Sequence, residues 1–289
     1  MNVESSTERK IQSLLRLLSD PNQQVAATIH KELVNMGAII LPFLEHVDQG
    51  DHDMCVRLTE IREDLRFEKF RQDLRQLLLS SSRERVFDLE AGTFLLAQSA
   101  YPEINIQQYI QQLDDLAEEV RPRLTPSQSL EDASQILAKY LFVEKGFRGN
   151  REHYDDPENS FFNRVLERRT GIPITLSVLY LFLAKRLGLS STGVGMPGHF
   201  IVKLEGTDPT IFIDCFNGGV FLEAKNCEQF LIEAGVGFNE TYLHTTPNDL
   251  ILARMIRNLI GGYEKLQETE RVDRLNSLME TLDSVPERD

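Results

Sequence analysis

Apolar residues fall three and four apart through the first eighty positions, beginning with Ile11, Leu14, Leu15, Leu17 and Leu18. This spacing gathers them on one side of a helix. Ser19-Asp20-Pro21 interrupts the pattern, with Asp20 placed to cap and Pro21 tolerated at a first helical position. A second helix is expected from Asn22 to about Met36, closed by Gly37, and a third from Ala38 to Val47. Gln49-Gly50-Asp51-His52-Asp53 breaks the periodicity, which then returns as far as Leu79. The small polar run Ser80-Ser81-Ser82 reads as a boundary between periodic segments.

Three further helices are expected, at Asp88 to Ser99, Asn105 to Leu124 and Ser127 to Val143. Gly146 to Asn159 has no periodicity, is long for a connection, and reads as a functional loop or a wrap over the surface. Helices resume at Ser160 to Arg168 and Pro173 to Leu187. Beyond Gly188 the pattern changes to short β-rich runs: Gly193 to Met196, His199 to Glu205, Thr210 to Phe216 and Val220 to Leu222. Divided by Gly, Pro and Asp, they predict a small antiparallel sheet. Asn217-Gly218-Gly219 is a strong hairpin-turn signal. From Pro247 onward helix returns, with Leu252, Met255, Ile256, Leu259, Ile260 and Tyr263 on one face. Val272, Leu275, Leu278, Met279 and Leu282 form another.

The chain has 289 residues, 41% of them apolar and 26% charged, enough to bury a core and unlike a disordered chain. Lys and Arg total 31 against 45 Asp and Glu, a formal net charge of −14. That balance disfavours nucleic acid and anionic membranes as partners. The longest nearly unbroken apolar stretch, Ile174 to Ala184, suits a buried helix and is too short for a bilayer span. The opening MNVESSTERK carries no hydrophobic signal region, so secretion is not expected. Cys55, Cys215 and Cys227 form a sparse, odd set that reads as free thiols in a reducing cytoplasm.

His199 and Asp214 stand fifteen residues apart on neighbouring expected strands, the distance of a strand, a turn and a return. Their side chains are then expected together on one face. A carboxylate beside an imidazole fixes its tautomer and stabilises its cation, the supporting half of a nucleophilic triad. The helix TGIPITLSVLYLFLAKRLGL and the strands PGHF and FIDCFNGG resemble the transglutaminase-like superfamily, most closely its bacterial SirB-type branch. The resemblance spans about Arg83 to Gly235. It implies a papain-like core in which a cysteine opening the central helix attacks, a histidine acts as base and an aspartate orients it. His199 and Asp214 match the second and third positions. Counted back from Gly188, the cysteine's position falls on Pro173, or on Thr175 two residues later. Proline has no nucleophilic atom and suits the first turn of a helix.

Other groups are weighed as replacements. Cys215 adjoins Asp214 in a strand and is expected to face away from it. Cys227 follows Asn226, which with Gln229 reads as a cap and its partner, putting the thiol in a helix's first turn. Thr175 and Ser177 carry hydroxyls near the helix start, where capping or packing is the commoner role. His153, Asp155 and Asp156, like Asp51-His52-Asp53, make no specific metal-ligand pattern, and no phosphate-binding glycine loop is present. Gly193, Gly195 and Gly198 are read as letting backbone approach His199. Arg169 is a candidate for an anion or a buttress, Asn159 for a cap, and Asn163 for a tie to the long loop.

The expected architecture is α+β in three regions. Residues 1–82 resemble a HEAT-type hairpin, 83–246 the transglutaminase-like core, and 247–289, with Tyr263 and Pro286, a tetratricopeptide-type hairpin. Two functions follow. One is a non-catalytic interaction or regulatory module binding a protein or peptide through the cleft or the helical repeats. The other is a hydrolase or acyl transferase using His199 and Asp214 with Thr175, Ser177 or a displaced cysteine. No cofactor, metal, nucleic acid or membrane is implied by either.

Overall fold

The computed structural model describes residues 3–44, 52–84 and 87–283. The chain divides into two compact units, Met1–Asp73 and Leu74–Asp289.

In the first unit, α1 (Val3–Leu17), α2 (Gln23–Asn35), a tight turn at Gly37–Ile40, α3 (Leu41–Leu44) and the early part of α4 (His52–Glu84) follow in order. Ile11, Leu15, Leu18, Leu33, Leu58 and Ile61 form their shared core. Asn22, not Asp20, caps α2 by accepting the Gln24 N–H, while Asp20 accepts the Asn22 N–H at 2.8 Å and closes the turn before it. The third helix is a 3-10 turn plus one helical turn, and residues 45–47 and Gln49-Gly50-Asp51 lie outside the described residues. His52 and Asp53 open α4. Ser80–Ser82 do not break that helix: the Ser80 hydroxyl donates to the Leu77 carbonyl at 2.9 Å, a local bond that lets a small polar residue sit inside a helix.

In the second unit, α5 (Leu89–Ala100), α6 (Ile106–Val120) and α7 (Leu130–Lys139) are capped by Asp88, Asn105 and Ser129. α7 continues into one π turn at Tyr140–Glu144. β1 (Arg148–Gly149) pairs in parallel with β2 (Thr170–Gly171), flanking α8 (Phe162–Arg168). Next comes α9 (Pro173–Leu187), ended by Gly188 in the left-handed conformation. All nine residues from Ile172 to Tyr180 are buried, and Leu176, Val178, Leu179, Tyr180 and Leu183 are wholly so. A helix apolar on every side belongs in the interior, and α9 packs against β3, β4, α6 and α7.

The sheet is β3 (Ser191–Met196), β4 (His199–Leu204), β5 (Ile211–Asp214) and β6 (Val220–Glu223), antiparallel and in chain order. Its register pairs Met196 with His199, Val194 with Ile201 and Lys203 with Phe212, so these share one face with Asp214. α10 (Ala224–Glu233) covers that face through a core of Val194, Met196, Ile201, Phe212, Cys227 and Leu231. α11 (Asn248–Lys265) and α12 (Thr269–Asp283) form the closing hairpin. Pro286 lies outside the described residues. Among the described residues no helix is long and apolar enough to cross a membrane.

Candidate functional site

The site begins with a two-residue turn. Gly198, at φ +71°, takes the left-handed conformation that lets β3 fold back as β4, and His199 is the first residue after it. Continuing the pairing of Val202 with Ile213 sets Asp214 opposite Ile201, one diagonal step from His199 on the same face. The histidine Nε2 lies 2.9 Å from Asp214 Oδ2, and the two residues are 7% and 6% exposed. A carboxylate only accepts, so the ring nitrogen facing Asp214, Nε2, carries a proton. Nδ1 makes no hydrogen bond among the described residues.

The turn after β5 completes the carboxylate's shell. Asn217 donates its side-chain amide to Asp214 Oδ2 at 2.7 Å and its backbone N–H to Oδ1 at 3.1 Å. Gly218 and Gly219 follow at φ +80° and +75°. Burial pushes the Asp214 pKa up, yet the His199 bond and charge together with the two Asn217 bonds outweigh it and hold the group below its usual 3.8. Asp214 is therefore an anion at neutral pH.

Aromatic rings border the pair. The Phe230 ring of α10 is 5.2 Å from the imidazole and the Phe216 ring 6.3 Å from it. Tyr154 meets Phe216 edge-on, and the Arg151 guanidinium lies over Phe216 while bonding the Asn217 side-chain oxygen. Behind the turn, Arg254 of α11 donates to the carbonyls of Met196 and His199 at 2.7 and 2.8 Å. Sequence reading missed the roles of Phe216, Phe230 and Arg254. It read Asn217 as a turn residue only, although an Asp side chain that accepts main-chain N–H groups a few residues later is a common way to close a turn, as Asp214 does here with the Asn217 N–H. Nothing near Arg254 in the sequence announces its contact with a turn fifty-five residues earlier.

The groups weighed as nucleophiles have other partners. Pro173 is the first residue of α9. The Thr175 hydroxyl, wholly buried, donates to the Asn159 carbonyl at 2.9 Å and accepts the Ile172 N–H at 3.1 Å. It is the reciprocal partner at the helix start. Ser177, also wholly buried, lies against the Phe200 carbonyl and the Cys215 thiol. Cys215 thus faces α9, and burial drives its pKa far up. Cys227 is buried, and desolvation pushes its thiol up to about 11. Its helix starts earlier than the sequence indicated: Glu223 is the cap residue, and Asn226 accepts the Glu223 N–H at 2.9 Å from the third helical position. Cys227 therefore sits past the first three positions, where burial outweighs any help from the helix end.

The loop residues also find structural uses. Asn159 is not the α8 cap. Its amide donates to the His153 and Tyr154 carbonyls at 2.7 and 3.2 Å, and its oxygen accepts from Asn150. Asn159, not Asn163, ties down the loop, while Asn163 is buried with its Oδ1 unpartnered among the described residues. Asp156 pairs with Arg168 and Asp155 with Lys265. Arg169 adopts φ 54° to end α8 and donates to the Lys145 carbonyl. Gly193 and Gly195 make room for the Phe200 ring and for Arg254 and Thr246, where added methyl carbons would lie 2.7 and 2.9 Å from the nearest atoms. Cavities of about 570 and 520 Å³ open beside Phe182 and beside Pro209, and His199 lines neither.

A buried helix leading into a small antiparallel sheet with a histidine–aspartate pair defines a transglutaminase-like protein. The transglutaminase-like superfamily model matches residues 107–257, more than half of the chain, and the chain belongs to that superfamily. Within it the chain is a member of the UPF0162 proteins. It is 30% identical over 203 residues to the UPF0162 protein of Xylella fastidiosa strain 9a5c, covering 68% of this chain and 72% of that one. The UPF0162 protein of Vibrio cholerae is 30% identical over 134 residues, covering 46% and 50%. F-box only protein 21 of Mus musculus is 33% identical over 161 residues, which are 52% of this chain and 25% of the mouse protein. No solved structure matches.

Proposed function

We propose that this chain is a SirB-type interaction or regulatory module that binds a protein or peptide and carries a degenerate triad. The observation that carries this reading is that each candidate nucleophile is absent, bonded elsewhere or buried. Pro173 offers no attacking atom, the Thr175 hydroxyl is committed to Asn159 and Ile172, and both neighbouring thiols are buried with raised pKa values. Activated nucleophiles need a base within hydrogen-bond reach, and no hydroxyl or thiol among the described residues bonds the His199 ring. The HEAT-like helices before the core and the tetratricopeptide-like hairpin α11–α12 supply further binding faces. The negative chain favours basic or neutral partners. The likeness to a segment amounting to 25% of F-box only protein 21 supports a module that works beside other segments.

One observation favours a second reading, as a hydrolase or acyl transferase. The His199–Asp214 pair has the geometry of a working base, with Nδ1 unengaged among the described residues. The deciding experiment is amine incorporation into a glutamine-bearing protein, run beside peptide hydrolysis, with purified wild type and His199→Ala. Rates equal to buffer in both proteins are expected. Turnover in wild type that disappears in His199→Ala would overturn the binding reading.

A further inference from the structure

The turn that presents His199 is held from outside the sheet. A single nitrogen of the Arg254 guanidinium donates to the Met196 carbonyl at 2.7 Å and the His199 carbonyl at 2.8 Å, one on each side of Pro197-Gly198. The same guanidinium lies 5.6 Å from the centre of the Phe200 ring, close enough for cation–π attraction. Its position depends on Gly195, where an added methyl carbon would lie 2.9 Å from Arg254 Nη1. A second tether runs alongside: the Thr246 N–H donates to the Gly193 carbonyl at 2.8 Å, and the Thr246 hydroxyl accepts the Gly195 N–H at 2.9 Å. Burial lowers the Arg254 pKa, and no acidic side chain is bonded to it among the described residues, so its hydrogen-bonding capacity goes to the two turn carbonyls.

We infer that Arg254 is the positioning residue for His199, which makes α11 a working part of the site and not an appended helix. The His199 side chain is fixed at two points: Asp214 holds the ring and Arg254 holds the backbone that carries it. Arginine suits this place because its planar fork keeps several donors in fixed directions, whereas a lysine offers one flexible charge. The inference holds under both readings above, since each needs the imidazole held in one orientation.

The test is long-range ¹H–¹⁵N spectroscopy of the His199 ring in the full chain. Wild type is expected to show one tautomer with the proton on Nε2 and slow exchange of that proton. Arg254→Met is expected to give averaged ring shifts and ring N–H exchange about tenfold faster, the scale of losing both turn bonds. Arg254→Lys is expected to fall between them, and Gly195→Ala, which pushes the guanidinium aside, to resemble Arg254→Met. The control is Arg257→Met, an exposed change one turn along α11, which should leave the signals unchanged. If Arg254→Met does not fold, Arg254→Lys and Gly195→Ala decide. Wild-type ring shifts and exchange in folded Arg254→Lys and Gly195→Ala would overturn the inference, as would an equal change in Arg257→Met.

Discussion

The start of α9 and the end of the sheet are both places where polar groups are buried, and they are buried differently. At α9, Thr175 and Ser177 lie wholly inside apolar surroundings and bond to carbonyls of the main chain. At the sheet end, His199 and Asp214 bond to each other, and Asn217 adds two donors to the carboxylate. The first arrangement stabilises a fold and leaves no atom over for chemistry. The second keeps an anion, an imidazole and a ring nitrogen without a bonded neighbour among the described residues, beside aromatic rings. Burial alone thus does not separate structure from function; the identity of the bonded partner does.

That contrast can be broken by substitution, and the largest effect belongs to the apolar side. Leu179→Ala should cost about 2–5 kcal/mol of stability by urea unfolding, because the wholly buried site leaves a cavity with few ways to collapse. Asp214→Ala should follow, at about 2–4 kcal/mol at neutral pH, since it strands a buried imidazole and the Asn217 donors. Its pH dependence has a definite sign. The folded Asp214 pKa lies below the unfolded 3.8, so its contribution is complete above that value and is lost as pH falls through the lower folded one. The stability gap between wild type and Asp214→Asn should therefore narrow on acidification below about pH 4. A gap that widened with acid would mean the folded pKa lies above the unfolded one.

Thr175→Val should cost about 1–2 kcal/mol, the range for removing one partner of a buried bond, and should leave any turnover unchanged. If turnover exists and Thr175→Val abolishes it while unfolding stays within that range, the hydroxyl is an attacking group and the contrast fails. Phe230→Ala should have the smallest effect on unfolding, within about 1 kcal/mol, because the side chain is 38% exposed. It should instead weaken binding of a peptide partner, read by fluorescence anisotropy; equal affinity would remove Phe230 from the binding surface.

Much of this was legible in the chain, where local pattern decided the outcome. The all-apolar run after Pro173 could only be an interior helix, Gly188 ended it, and Asn217-Gly218-Gly219 marked its turn. The strand period also put Cys215 and Asp214 on opposite faces, as the Ser177 contact with Cys215 confirms. Cap positions were less legible, because Asp20, Asn22, Asn159, Glu223 and Asn226 are chemically similar and only the backbone path chooses among them. Thus Asn22 took the place assigned to Asp20, and Asn159 became a loop tie. Arg254 was beyond reach for a different reason: an arginine one turn from other polar residues on an amphipathic helix looks solvent-facing until the fold brings a pair of carbonyls to it.

β3 borders the sheet on one side, and a bare strand edge is a template for pairing with another chain. Thr246 occupies part of that edge, its N–H on the Gly193 carbonyl and its hydroxyl on the Gly195 N–H. The segment entering α11 therefore guards against aggregation as well as anchoring a turn. A chain cut before Thr246 would present those two glycines' main-chain groups, with no side chains to shield them, to the next molecule it met.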